Sequence, residues 1–158
     1  MRVLGIDPGT AITGWAIVEN GANVKNSVKC VSYGVVRTPA GLDMPLRLKD
    51  IYAELMEIIE EFHPESAAIE ELFFFKNQKT VIKVGQARGV AILAAVNSGL
   101  QIFDYTPLQI KQAVTGYGRA EKKQVQEMVK LITNLKEIPK PDDAADAIAV
   151  GICHLNSI

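Results

Sequence analysis

The chain has 158 residues, 48% of them hydrophobic, a net charge of −1 and two cysteines, Cys30 and Cys153. That content suffices for one compact domain spanning 1–158, while the apolar runs fall short of the roughly 18 to 20 residues a membrane span needs and no charged-apolar-small leader opens the chain, so we expect a cytoplasmic protein with no membrane contact. The thiols lie far apart in apolar surroundings and are expected to be buried and reduced rather than bridged or bound to metal.

The first predicted element is the apolar run Val3-Leu4-Gly5-Ile6, which ends in Asp7 and is closed by the turn signal Pro8-Gly9-Thr10. A carboxylate at the end of a buried strand costs several kcal/mol, roughly, unless donors, a cation or a proton compensate it. Taken alone, Asp7 reads equally as a turn cap and as part of a charged site. Thr13 to Glu19 resumes extended character, Asn20-Gly21 marks a turn, and Val28 to Arg37 is a third strand with Val31, Tyr33 and Val35 expected on one face. Three strands with short connections imply an antiparallel meander.

Pro45 then opens an amphipathic helix, with Leu48, Ile51, Tyr52, Leu55, Ile58, Ile59 and Phe62 at helical spacing, ending near His63-Pro64. The next strand, Ala67-Ala68-Ile69, again ends in acid, at Glu70-Glu71. A right-handed crossover lays it parallel to the first strand and brings Glu70 beside Asp7. Phe73-Phe74-Phe75-Lys76 follows where a loop is expected, which suits stacking against nucleic-acid bases, although core burial explains at least one of the rings.

Thr80 to Ser98 reads as a helix carrying Gly85 and Gly89 one turn apart. Each glycine costs about 1 kcal/mol relative to Ala, and close approach of another backbone offsets that; a dimer contact and packing on the domain's own sheet both satisfy the pattern. Gln101 to Thr106 forms another strand, Pro107 opens a short helix, and a second helix follows from Glu121 with Lys122, Lys123 and Lys130 exposed. The last helix begins Asp142-Asp143-Ala144-Ala145-Asp146. Helix capping explains Asp142 or Asp143, but not Asp146, which sits on an otherwise apolar face one turn after Asp143.

Charge is segregated along the chain: from Lys76 to Lys130 there are nine Lys or Arg against three acids. Either one face contacts a polyanion, or these are ordinary solvated helix faces. Asp7, Glu70, Asp143 and Asp146 together form a set of hard oxygen donors that suits Mg²⁺ or Mn²⁺, and two such ions about 4 Å apart hydrolyse phosphodiesters.

These motifs in order, Gly5-Ile6-Asp7-Pro8-Gly9-Thr10 with Thr13-Gly14, Ala68-Ile69-Glu70, Phe73 with Lys76-Asn77, Gly85-Gln86-Ala87-Arg88-Gly89 and Asp143-Ala144-Ala145-Asp146-Ala147, resemble the RuvC family of bacterial Holliday junction resolvases along essentially the whole length. The resemblance implies a ribonuclease-H-like α/β fold with a mixed five-stranded sheet flanked by helices. It also implies a Mg²⁺-dependent endodeoxyribonuclease, with Mn²⁺ as a substitute, that makes paired symmetric nicks in four-way junction DNA during recombination and repair. Its partners would be a second copy, joined through the Thr80–Ser98 helix, and the RuvAB branch-migration complex. Carried over residue by residue, Asp7, Glu70, Asp143 and Asp146 match the catalytic, metal-binding tetrad. Phe73 matches a base-stacking aromatic, Lys111 and Lys122 match lysines near the scissile phosphate, and Lys76, Lys83 and Arg119 complete the expected DNA-binding set. Rival readings are an actin-type nucleotide-binding ATPase domain, a related nuclease of ribosomal RNA maturation, and a catalytically dead DNA-binding module.

Overall fold

The computed structural model describes residues 1–22, 27–72 and 77–158. Five strands, β1 (Arg2–Asp7), β2 (Ile12–Asn20), β3 (Val28–Arg37), β4 (Ser66–Glu70) and β5 (Gln101–Tyr105), form one sheet in the order β3-β2-β1-β4-β5. The first three run antiparallel, as the short turns require, and β4 and β5 run parallel to β1 because helical crossovers precede them. The crossovers are α1 (Met44–Phe62) and α2 (Gln78–Asn97); α3 (Pro107–Thr115), α4 (Lys122–Thr133) and α5 (Asp142–Ser157) follow the last strand. This is the mixed five-stranded α/β architecture expected from the sequence, and the third strand keeps its predicted bounds.

Two cores result, one on each face of the sheet. Leu4, Ile6, Ile17 and Ile69 meet Ile51, Leu55 and Ile59 of α1 and the alanine side of α2. On the opposite face Val3, Ala16, Val18 and Ala68 meet Ile148, Ile152 and the alanines of α5, with α3 and α4 outside them. Strand alternation alone sorts these residues, since neighbours along a strand point to opposite faces.

One expected face does not hold. The pairing of β2 with β3 shifts between Ile17 and Val18, where Ser32 faces Ile17 but Cys30 faces Val18. Val31 is the extra residue of this bulge, so it packs with the α1-side core, while Tyr33 and Val35 keep the other parity. Cys30 is half-buried rather than buried, Cys153 is buried, and both thiols are free; burial pushes each up to about 11. No helix among the described residues is long and apolar enough to cross a membrane.

The α5 helix lies unusually close to β1 and β2 because glycines form its bed. A Cβ on Gly5 would collide with the Ala147 carbonyl and stand 2.9 Å from the Gly151 nitrogen, and one on Gly14 would collide with the carbonyl of Asp143. Asp7 pairs across the ladder with Gly14. The first turn of α5 is therefore seated beside Asp7 by the absence of side chains beneath it.

Candidate active site

Asp7 ends β1, Glu70 ends β4 in the parallel neighbour, and Asp143 and Asp146 project from the first turns of α5. The sheet places Asp7 and Glu70 at the same end, and the glycine bed brings the helix acids down to them. All four predicted acids therefore meet, and their mutual repulsion shows it. Burial, then the charges of Asp146, Glu70 and Asp143, pushes the Asp7 carboxyl up to about 8, with Lys122 opposing. Burial and Asp146 raise Glu70 against the pull of Lys111 and Lys122. Burial raises Asp146 as well, with Lys122 pulling it back and Asp143 adding to the rise.

The cation paired with Asp146 is Lys122, whose Nζ lies 3.6 Å from Asp146 Oδ2 and 3.2 Å from Oδ2 of the adjoining Asp142. Burial pulls the Lys122 ammonium down, but Asp146 and Asp142 outweigh it and hold it above the usual lysine range. Asp142 also accepts a hydrogen bond from Gln126 Nε2 at 3.1 Å, so it belongs to the α4 contact rather than to the shared cluster. Among the described residues no three of these side chains close around a common point as a finished metal cage. The donor chemistry nevertheless fits a hard divalent ion: carboxylates crowded at a buried strand end, with Asp7, Glu70 and Asp146 disfavoured in their charged forms by burial and by neighbouring acids, and Lys111 and Lys122 as partial relief.

Two depressions adjoin the acids on the β4–β5 side. One, of about 240 Å³, is lined by Glu70, Lys111, Lys122 and Asp146 together with Pro107, Ile110, Val125 and Ala149. Lys111 and Lys122 thus both border Glu70 and Asp146. The α3 helix that carries Lys111 starts on a capping box, with the Gln109 amide donating to Thr106 Oγ1 at 3.1 Å and the Thr106 amide to Gln109 Oε1 at 2.9 Å; the Thr-x-x-Gln spacing is its signature in the sequence. The second depression, of about 330 Å³, is lined by Asp7, Glu70, Glu71 and Arg88 with Leu72, Val84 and Pro107. Arg88 pairs with Asp104, and its Nε is buried without a partner among the described residues. Nothing in the periodicity of the helix marked Arg88 as a neighbour of the site.

Other expected DNA contacts sit apart. Lys83 is exposed on α2 and Arg119 is exposed in the α3–α4 turn, and neither lines a depression around the acids. Phe73 and Lys76 lie outside the described residues.

Fold and site together define the class: a ribonuclease-H-like α/β protein with four acids gathered at one end of the sheet and lysines beside them. The profile of the family described as crossover junction endodeoxyribonuclease RuvC matches residues 3–154. The RuvC protein of Caldanaerobacter subterraneus subsp. tengcongensis is 58% identical over 157 residues, covering 99% of this chain and 93% of its own. That of Finegoldia magna is 57% identical over 155 residues, covering 98% and 93%. A solved structure of Thermus thermophilus RuvC in complex with Holliday junction substrate superposes with a TM-score of 0.93 at 36% identity, covering 99% of this chain and 94% of that one. The chain belongs to the RuvC family of crossover junction endodeoxyribonucleases.

Proposed function

We propose that the protein resolves four-way DNA junctions by paired symmetric nicks, using Mg²⁺ held by Asp7, Glu70, Asp143 and Asp146. The single observation that carries this reading is the gathering of these four acids, from two strand ends and one helix, into one mutually repelling cluster. The family match over nearly the whole chain favours DNA junctions over the ATPase and ribosomal-RNA alternatives. When bound, a pair of divalent ions supplies an activated water and neutralises charge at the scissile phosphate. The chain's own contributions are distinct. Asp7, paired with Gly14 and next to the last residue of β1 that pairs with β4, anchors the donor set. Lys122 balances Asp142 and Asp146 before substrate arrives, and Lys111, across the same depression, offers a positive charge to phosphate oxygens.

A second copy is the expected partner. The outer side of α2 exposes Ile82 at 61%, Leu93 at 51% and Val96 at 55%, and a Cβ on Gly89 would meet no described residue within 4 Å. Among the described residues Gly85 has only the tip of Leu72 near it, at 3.6 Å. No described backbone of this chain therefore approaches the glycines, which counts against packing on its own sheet and supports a dimer face.

The test is incubation of a labelled mobile four-way junction with Mg²⁺, beside linear duplex and structured RNA. Symmetric paired nicks confined to the junction, and lost in Asp7→Asn, are expected. Equal cutting of duplex or RNA would overturn the reading.

A further inference from the structure

A third depression, shallow and about 620 Å³, lies on the other side of the acids, lined by Arg37, Lys140, Pro141, Asp142 and Asp143. Its cations fall outside the basic stretch of the sequence, one at the end of β3 and one just before α5. Register explains why they look onto the site. Asp7 pairs with Gly14, Gly14 pairs with Val35, and Arg37 is two residues beyond Val35, so Asp7 and Arg37 share a face of the sheet. That is the face on which the Asp143 backbone rests over Gly14.

Both cations are exposed, and neither makes a hydrogen bond or ion pair with another described residue. This contrasts with Lys122, Arg88 and Arg2, each of which is tied to a carboxylate. The acids in the same depression are otherwise engaged: Asp142 is balanced by Lys122 and Gln126, and the charge of Asp143 acts on Asp7 and Asp146. The backbone presenting Arg37 is held firmly. The Thr38 amide donates to the Ala11 carbonyl at 3.1 Å, and the Thr38 hydroxyl accepts from Nε of the buried Arg47 at 2.8 Å.

We propose that Arg37 and Lys140 bind backbone phosphate of the cleaved DNA strand on the β3 side of the acids, so that the strand is held on both sides of the cut. Lys111 and Lys122 grip it from the β4–β5 side. A guanidinium fork matches two oxygens of one phosphate, while the ammonium acts as a point charge. Such contacts fix register without reading sequence. The inference rests on the junction-cleavage reading above.

The experiment compares binding of a labelled four-way junction across a salt series, with Asp7→Asn as the reference so that the DNA stays intact. Arg37→Gln, Lys140→Gln and their combination are added to it, and Lys49→Gln on α1, behind the sheet, serves as a control for net charge. Each single change is expected to lower the slope of log affinity against log salt by about 0.9, and the pair to weaken binding about 60-fold near 0.1 M salt. Lys49→Gln should leave both unchanged, and Arg37→Lys should restore the slope. In the cleavage-competent protein the pair should raise KM while kcat stays within about threefold. A double variant that melts like the reference yet keeps its slope and affinity would overturn the proposal, as would an equal loss in Lys49→Gln. Failure of the reference itself to prefer the junction would instead overturn the functional reading.

Discussion

The two faces of the sheet are built by opposite means. Against α1 and α2 the strands present bulky side chains, Leu4, Ile6, Ile17 and Ile69, and the interface is held by volume. Against α5 they present Gly5, Gly14, Ala16 and Ala68 to a helix rich in alanine, and the interface is held by proximity. The difference shows what the molecule needs from each. A volume-packed core tolerates adjustment of a methyl group or two. A backbone-to-backbone contact fixes the height of a helix, and here that height decides whether Asp143 and Asp146 reach Asp7.

The sharpest way to break this contrast is Gly14→Ala. The new Cβ is driven into the Asp143 carbonyl, so either α5 lifts or the fold fails. We expect about 3 kcal/mol or more of destabilisation and a loss of cleavage beyond what the unfolded fraction explains. Leu4→Ala on the opposite face is expected to cost a similar ~2–5 kcal/mol through its cavity, yet to leave cleavage per folded molecule nearly intact. Urea melts paired with active-site titration separate the two; equal specific activity in both variants would show that helix height is not critical.

Next in size is the effect of pH on stability without divalent cations. Asp7 takes up a proton more readily in the folded chain, where its pKa is about 8, than at its ordinary value of 3.8. The stability linked to that proton is therefore fully present below 3.8 and is lost as pH rises through 8. Cation-free protein should lose roughly a few kcal/mol over that window, Mg²⁺ or Mn²⁺ should recover it near pH 8, and Asp7→Asn should flatten the curve while abolishing cleavage. A wild-type melting temperature independent of pH between 5 and 8 would refute the crowding of the tetrad.

On the α5 side one bulky polar residue is fully enclosed. His154 is 1% exposed, with Nε2 3.1 Å from Ser66 Oγ and Nδ1 2.8 Å from Tyr105 OH. Burial lowers its pKa, so the neutral ring, donating at one nitrogen and accepting at the other, is the folded form. The sign is opposite to that of Asp7: its contribution is present above 6.5 and is lost as pH falls below it. His154→Phe should cost about 1–3 kcal/mol by stranding the two hydroxyls and remove that acid-side slope, with little change in cleavage at pH 8.

Much of this was legible from residues because it followed from parity and chain order. A strand ending in acid, a crossover, and a second strand ending in acid place Asp7 beside Glu70 by topology alone. Asp146 stood out because burial on an apolar helix face has no capping explanation. What escaped depends on spatial proximity without sequence proximity. The need for bare backbone at Gly5 and Gly14 has no local mark in the sequence, since the helix they accommodate lies more than a hundred residues away. The bulge at Val31 reversed one face because an extra residue leaves no mark in hydrophobic alternation. Arg37 and Lys140 are more than a hundred residues apart and come together only across the sheet, so no cluster of charge along the chain marks them.

The smallest expected effect concerns α2, which has both kinds of surface on one helix. Its inner side is a row of buried alanines, while Gly89 faces outward with open space where a Cβ would sit. In an isolated chain Gly89→Ala should be a pure gain in helix propensity, about 1 kcal/mol or ~2–4 °C in melting temperature. If that side meets a second copy closely, the same methyl group obstructs the partner. Dilute protein should therefore melt higher in the variant, whereas sedimentation at higher concentration should show weaker association. A gain in melting temperature with association unchanged would remove α2 from the dimer contact, and would leave proximity packing as a device confined to α5.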